Sequence, residues 1–138
     1  MKNITILLPL HKMNEEYEIL LKNAVESIQD FHNDVKLMIV CPTEIKNEID
    51  KIDLGQKLEI NYNVHTGDTD FCSQLNRGIQ NCDTEWFSIL EFDDEYATIW
   101  FKNVVEYKNA HTNVDIFMPI IVDVDSNNQF RSEEHTSE

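Results

Sequence analysis

The sequence predicts an α/β fold with a mostly parallel β-sheet, because apolar runs of strand length alternate with stretches of helical period. The runs at residues 3–10 and 35–40 are almost continuously apolar and β-branched. Such runs are typical of strands that are buried on both faces, as in parallel sheets. Between them, apolar residues recur at helical spacing from Tyr17 to Phe31, which indicates an amphipathic helix.

The elements of the first half follow in order. Asn14 is a suitable N-cap for the first helix, and acidic residues follow it in the first turn. Residues 44–52 predict a short second helix with its isoleucines on one face. Residues 58–64 alternate apolar and polar, which predicts a third strand nearer the edge of the sheet.

The second half continues the alternation. Residues 67–70 indicate a turn, and residues 71–82 predict a helix whose apolar face carries Phe71, Leu75, Ile79 and Cys82. Residues 86–91 predict a fourth buried strand. Thr98 is expected to cap a further helix, and residues 115–122 predict a fifth strand interrupted by Pro119.

Composition and charge restrict the class of protein. The 138 residues suit one domain, and 41% of them are hydrophobic, enough for a core. A net charge of -15 argues against nucleic acid or an anionic membrane as the main partner, since both repel it. No apolar stretch is long enough to span a membrane, and no signal peptide is visible. With three cysteines lacking metal-type spacing, we expect a cytoplasmic protein with reduced thiols.

The last eight residues, 131–138, are polar and show neither helical nor strand period. They read either as a disordered terminus or as the in-frame translation of a sequencing-library adapter, and the second interpretation is favoured. We therefore expect one α/β region over residues 1–130, incomplete at its C-terminus, followed by a non-native tail.

Acidic residues follow the predicted fourth strand. Ligands of parallel α/β sheets bind beyond the carboxyl ends of the strands, and Glu91, Asp93 and Asp94 stand at such an end. Side chains alternate along a strand, so Glu91 and Asp93 can reach one ion. Carboxylate oxygens suit Mg²⁺ or Mn²⁺. The alternative is a solvated acidic turn.

Several common site types are absent from the sequence pattern. The loop after the first predicted strand, residues 9–13, contains no glycine, which argues against a dinucleotide fingerprint and a P-loop. No acidic residue follows that strand directly, as a receiver domain would require, and a serine nucleophile elbow is also missing.

Three stretches resemble motifs of the GT-A fold glycosyltransferases, specifically those of family 2. Residues 4–11 resemble the first strand and its proline-containing loop. Asn76-Arg77-Gly78 is similar to the helix motif Arg-Asn-x-Gly with the order shifted, and residues 85–94 are similar to the strand that ends in Asp-x-Asp-Asp. The resemblance covers residues 3–122. It implies a Rossmann-like three-layer α/β/α sandwich, of which this chain is the N-terminal, donor-binding half.

The resemblance also implies a chemistry. The donor would be a nucleotide-diphosphate sugar, most simply a UDP-sugar, with its diphosphate held by Mg²⁺ or Mn²⁺ acting as a Lewis acid. Asp93 would be the principal metal ligand, and Glu91 would bind directly or through water, with Asp94 beside them. The residues implied at the donor are Pro9, Leu10, His11, Thr43, Asn76, Arg77 and Phe92.

Two of these residues have assigned roles under the resemblance. Arg77 would pair with a phosphate bidentately, and His11 would stack on or bond to the base. For each, an exposed surface residue is the alternative.

This sequence departs from the family pattern at three points. The second strand ends in Val40-Cys41-Pro42-Thr43 without the usual acidic pair, and Glu91 replaces the usual first aspartate. The general base of inverting members lies later in the chain, so we expect it beyond Phe130. Asp94 and Glu95 are not suitable as the base, because they lie on the donor side. The catalytic base is therefore unassigned, and we expect weak donor binding without efficient transfer to an unknown glycan, lipid or protein acceptor.

Two other functions stay open from the sequence. One is a nucleotide-binding or regulatory α/β module without catalysis. The other is an interaction domain whose acids are only solvated.

Overall fold

The computed structural model describes residues 2–97, 99–119 and 122–123. Within them, the strands are β1 (Ile4–Pro9), β2 (Val35–Pro42), β3 (Ile60–His65) and β4 (Trp86–Ile89). The helices are α1 (Glu15–Glu26), α2 (Thr43–Ile49), α3 (Phe71–Gln80) and α4 (Trp100–Ala110), and a short 3₁₀ helix spans Gln29–Phe31. The chain divides into two compact units, Met1–Phe101 and Lys102–Glu138.

The first unit contains the sheet, whose strand order is β3-β2-β1-β4. All three strand pairings are parallel. Parallel neighbours require crossover connections, and α1, α2 and α3 supply them. The predicted α/β fold with a parallel sheet is confirmed, and β3 lies at an edge of the described sheet, as the alternation of its residues predicts.

Helices cover both faces of this sheet. On β3, Asn63 donates to the backbone oxygen of Arg77 in α3 at 3.4 Å. The neighbouring Tyr62 ring lies beneath the ammonium group of Lys46 in α2, 4.5 Å from the ring centroid. Because adjacent strand residues point to opposite faces, α2 and α3 lie on opposite sides of the sheet.

The core is centred on the two middle strands. All six residues of β1 are buried, and Ile6, Leu7 and Leu8 are fully inaccessible. Burying each such side chain contributes about 1.5–3 kcal/mol relative to leaving it exposed. The near-continuous apolar runs of β1 and β2 therefore match their central positions between layers.

Helix α1 begins where the sequence predicts and ends earlier. The Asn14 side chain accepts from the backbone N–H of Tyr17 at 2.9 Å, which confirms the N-cap. The helix ends at Glu26, because the Ser27 hydroxyl donates to the Ala24 carbonyl at 2.6 Å and the chain tightens into the 3₁₀ turn. Phe31 thus belongs to that turn rather than to α1.

The buried face of α3 differs from the predicted one. Its fully covered residues are Gln74 and Gly78, whereas Phe71 and Ile79 remain 44% and 37% exposed. A carbon atom added to Gly78 would lie 3.1 Å from Val40 Cγ2 and 3.2 Å from Leu7 Cδ2. The helix therefore approaches the sheet through its glycine, and this close approach turns Gln74 inward and leaves part of the apolar stripe outside.

Two predictions about strands are wrong. The fourth strand is not buried, since Phe87 and Ile89 are each 44% exposed, and it ends at Ile89 rather than Glu91. Among the described strands it pairs only with β1. Phe87 and Ile89 lie on the same face of the strand, and that face is exposed. The fifth strand is not found in residues 115–119 or 122–123, where Ile116 is 75% exposed and Pro119 lacks a backbone donor.

Other predictions fall partly or wholly outside the described residues. Thr98, the expected cap of α4, and the tail over residues 131–138 belong to this group. Within the described part of the chain, no helix is long and apolar enough to cross a bilayer. The three cysteines are free thiols, and burial raises the pKa of Cys41 to about 11.

Candidate functional site

Glu91, Phe92, Asp93 and Asp94 form a turn at the carboxyl end of β4, called the acidic turn below. The backbone N–H of Asp94 donates to the carbonyl of Glu91 at 3.0 Å and closes the turn. Just before it, the N–H of Leu90 donates to the carbonyl of Leu7 at 2.9 Å, so the turn begins beside the carboxyl end of β1. The first and fourth strand ends, which the sequence predicts at one edge of the sheet, are thus neighbours.

The carboxylates of the acidic turn influence one another. The pKa of Glu91 is raised, first by partial burial and then by the negative charges of Asp94 and Asp93. Like charges held this close favour a proton or a cation at the cluster. The charges of all three acids therefore act within one turn.

The segment after the acidic turn is anchored by Tyr96. Its hydroxyl bonds with the Ser88 hydroxyl of β4, and its backbone N–H donates to the Ser27 hydroxyl at 3.2 Å. Burial raises the pKa of Tyr96 to about 12, so the phenol stays neutral. The acidic turn consequently lies between two fixed points, Leu90 and Tyr96.

An aromatic stack joins the acidic turn to the first helix. The rings of Phe92 and Tyr17 lie 4.2 Å apart between centroids at an interplanar angle of 28°. His11 meets the Tyr17 ring edge-on at 6.4 Å, and the ammonium group of Lys12 lies 5.6 Å from its centroid. Phe92, implied by the resemblance as a donor contact, thus has an intramolecular partner, while His11 is exposed in the first loop.

Gln74 links three segments at the carboxyl edge of the sheet. Its side chain is 1% exposed. The amide nitrogen donates to the Leu10 carbonyl at 3.1 Å, and the amide oxygen lies 2.7 Å from His65 Nε2. His65 Nδ1 accepts from the Gly67 N–H at 3.1 Å, so the ring proton belongs on Nε2 and points at Gln74. Since the Leu10 side chain is also fully buried, only its backbone borders this edge.

Arg77 is bound to the loop that follows β3. Its Nη1 donates to the Asp68 carbonyl at 2.7 Å. A carbon atom added to Gly67 would lie 2.0 Å from Nη2, so the guanidinium group occupies the space that glycine leaves. The structure therefore places Arg77 against this loop, and its role toward a phosphate stays a prediction.

The remaining predicted donor residues lie in different surroundings. Pro9 is buried at the end of β1. Thr43, the first residue of α2, is exposed, and its hydroxyl reaches the His65 carbonyl at 3.5 Å. Asn76 is exposed on α3. The strand ends thus bring together the first loop, Thr43 and His65, while Asn76 has no described contact that ties it to them.

The donor set of the acidic turn fits a hard divalent cation in part. Carboxylate oxygens are suitable ligands, and Glu91 lies close enough to Asp93 and Asp94 for their charges to act on it. Within the described ranges, however, no three histidine, cysteine, aspartate or glutamate side chains form a complete metal-binding group. Mg²⁺ is commonly held by one or two carboxylates plus water and substrate phosphates, and that arrangement is the one this turn fits.

A cavity of about 420 Å³ lies elsewhere in the first unit. The C-terminal half of α1 and the segment over residues 53–57 line it. That segment precedes β3, so the cavity is near the amino ends of the strands rather than the carboxyl ends. Because ligands of parallel sheets bind at the carboxyl ends, we place the candidate site at the acidic turn.

Two functional candidates are absent from the sequence-based set: Tyr17 and Gln74. In the sequence, Tyr17 is one apolar residue of an amphipathic helix. Its stacking partner, Phe92, is distant in sequence, so the local pattern does not indicate the contact. Gln74 is a polar residue among the apolar positions of α3. Its spacing of four residues from Gly78, which puts both on one face of the helix, is the local signal that its side chain is buried.

The fold and the site together define an α/β protein of Rossmann-like architecture with acidic residues at the ligand-binding edge of its sheet. Among solved structures, Staphylococcus aureus TarS 1–349 resembles it with a TM-score of 0.62 at 15% identity over 81% of this chain. The same TarS fragment was solved with UDP, at 15% identity and a TM-score of 0.62, and with UDP-GlcNAc, at 18% identity and a TM-score of 0.62. The chain spans about a third of the TarS fragment, 33%. No protein-family model and no curated protein sequence matches the chain.

Replacing Glu91 by glutamine should stabilise the protein at neutral pH in the absence of divalent cations. The raised pKa means that the ionised carboxylate is disfavoured in the folded state, so stability falls as pH rises through that pKa. Discounted for solvent exposure, the gain is about 0.3–0.5 kcal/mol, or 1–2 °C in Tm.

Thermal melts in EDTA at pH 7 and at pH 4.5 measure this effect. The gain should shrink at the lower pH, where the wild-type side chain is increasingly protonated. Glu106→Gln, an exposed residue of α4, is the matched control. A Tm that falls in Glu91→Gln at pH 7 contradicts the crowding of charge in the acidic turn.

Proposed function

We propose that this chain is the donor-binding region of a metal-dependent glycosyltransferase of the GT-A type, with family 2 as the nearest pattern. The observation that carries the proposal is the acidic turn at the carboxyl end of β4, beside the end of β1. The likeness of the fold to TarS, which was solved with UDP and UDP-GlcNAc, supports a uridine-diphosphate sugar as the donor class.

The proposed binding mode assigns a role to each part of the edge. Asp93 is the principal carboxylate for Mg²⁺ or Mn²⁺, Glu91 contributes directly or through water, and Asp94 adds charge beside them. The cation supplies Lewis-acid stabilisation of the diphosphate leaving group. His11 and Thr43, both exposed near the strand ends, are the side chains proposed to meet the nucleoside.

The proposed reaction exchanges two bonds at the anomeric carbon of the sugar. The bond to the diphosphate oxygen breaks, its electrons leaving with the nucleoside diphosphate, and a bond to an acceptor oxygen forms. The proton of the acceptor hydroxyl passes to a general base. We assign that base to no residue of this chain, and the acceptor is left undefined.

Replacing Asp93 by alanine should abolish the cation-dependent part of UDP binding. Removal of the principal carboxylate leaves the diphosphate without its cation bridge, so the affinity for UDP in Mn²⁺ should fall about tenfold or more. Isothermal titration of wild type and variant with UDP, in Mn²⁺ and in EDTA, measures the change.

Asp34→Ala is the matched control for this experiment. Asp34 is exposed and precedes β2, at the amino end of the strands and hence at the opposite edge of the sheet. Its UDP affinity should stay within about twofold of wild type. Equal UDP affinity of wild type and Asp93→Ala in Mn²⁺ would falsify the proposed cation site.

A second candidate is a nucleotide-binding module that needs no metal. It is favoured by the lack of a complete three-residue metal group among the described side chains. The same titrations separate the two functions. UDP binding that is equally tight in EDTA and in Mn²⁺ supports the module, and binding that requires Mn²⁺ supports the transferase.

A further inference from the structure

The acidic turn requires something to hold its shape. Three of its four residues are acidic, and their mutual repulsion favours an open chain over a closed turn. Within the turn, the Asp94 N–H donates to the Glu91 carbonyl at 3.0 Å. The fourth residue, Phe92, is the one that can contribute apolar contact.

Phe92 makes that contact with Tyr17. The two rings are nearly parallel, with centroids 4.2 Å apart, and both side chains are half-buried. Tyr17 is itself fixed, since its backbone N–H is bound to the N-cap side chain of Asn14 at 2.9 Å. A rigid first turn of α1 therefore supports the middle of the acidic turn.

The anchors on either side do not fix the middle of the turn. Leu90 is held by β1 through its backbone N–H, and Tyr96 is held by Ser88 and Ser27. Loss of the aromatic stack would leave both of these anchors intact. The sheet would survive, and only the orientation of the carboxylates at Glu91 and Asp93 would be released.

We infer that the Tyr17–Phe92 stack is a positioning device, which keeps the acidic turn closed and holds Glu91 and Asp93 where the proposed cation would bind. This inference rests on the proposed function for the identity of the ligand. Phe92 thereby acts through the turn rather than by touching the donor. His11 and Lys12 lie beside the same Tyr17 ring, at centroid distances of 6.4 Å and 5.6 Å.

Two pairs of variants test the inference. Phe92→Leu and Tyr17→Leu keep apolar bulk and remove the stack, whereas Phe92→Tyr and Tyr17→Phe keep two facing rings. In the leucine variants, the affinity for Mn²⁺ should fall about three- to tenfold, because loss of an aromatic pair corresponds to a factor of this size. The electron paramagnetic resonance signal of free Mn²⁺ measures this affinity. The ring-keeping variants should stay within about twofold.

The double variant and a control complete the design. Because both leucine substitutions remove the same contact, the double variant should bind Mn²⁺ about as weakly as either single variant. Phe87→Leu, on the exposed face of β4, is the matched control and should bind as wild type does. Effects that add in the double variant, or an equal loss in Phe87→Leu, overturn the inference.

A second measurement needs no metal. The Asp94 amide, which donates to Glu91 in the closed turn, should exchange its hydrogen about three- to tenfold faster in both leucine variants than in wild type. Unchanged exchange overturns the positioning role. If wild type binds no Mn²⁺ while exchange still responds, the cation part of the proposed function fails and the stack is confirmed only as a clamp on the turn.

Discussion

Replacing Gln74 by methionine is expected to lower the free energy of unfolding by about 1–3 kcal/mol, because the buried Leu10 carbonyl and the half-buried His65 ring lose their partner. The side chain is 1% exposed and joins the Leu10 carbonyl, at 3.1 Å, to His65 Nε2, at 2.7 Å. Methionine has a similar length and fills the space, so the loss reports the hydrogen bonds rather than a cavity.

Urea denaturation of wild type and variant measures this loss. Gln80→Met, at the exposed end of α3, is the matched control and should change stability by less than about 0.5 kcal/mol. A loss below about 1 kcal/mol in Gln74→Met would contradict the joining of the three segments through this amide.

Replacing Gly78 by valine is expected to destabilise the protein by about 3 kcal/mol. Even a single added carbon would lie 3.1 Å from Val40 Cγ2 and 3.2 Å from Leu7 Cδ2, both in the central strands. The two further methyl groups of valine force α3 away from the sheet. Gln74 would then move with the helix and weaken its bond to the Leu10 carbonyl.

Gly78→Ala and Gln80→Val separate crowding from helix propensity. Alanine improves helix propensity by about 1 kcal/mol while crowding the sheet, so we expect little net change. Gln80→Val introduces the same β-branched side chain at an exposed position and should cost less than about 1 kcal/mol. Similar denaturation midpoints for Gly78→Val and wild type would contradict the close packing of α3 on β1 and β2.

The two predictions concern one helix because α3 connects the core to the carboxyl edge of the sheet. Gly78 sets its distance from the sheet, and Gln74, one turn earlier, reaches the ends of two strands. The stability of the fold and the shape of the carboxyl edge are therefore coupled through this helix. Variants of α3 designed to change binding should be checked for stability first.

Much of the fold follows from the sequence alone. The strands β1 and β2 were predictable because an unbroken apolar run of this length is compatible with burial on both faces. The N-cap at Asn14 was predictable because capping depends on residues within one turn. The weakest prediction was the fifth strand, whose apolar residues Ile116 and Met118 remain exposed in the described chain.

For the candidate site, the sequence by itself determined that acidic residues follow a strand at the edge where ligands bind. That inference needs only local period and the alternation of strands with helices. The tertiary structure alone decided that β4 lies beside β1, that Phe92 stacks on Tyr17, and that Gln74 turns inward to Leu10 and His65. The physical reason is that hydrophobic period is a property of neighbouring residues, whereas the partner of a buried polar or aromatic side chain is set by segments that meet only after the chain has packed.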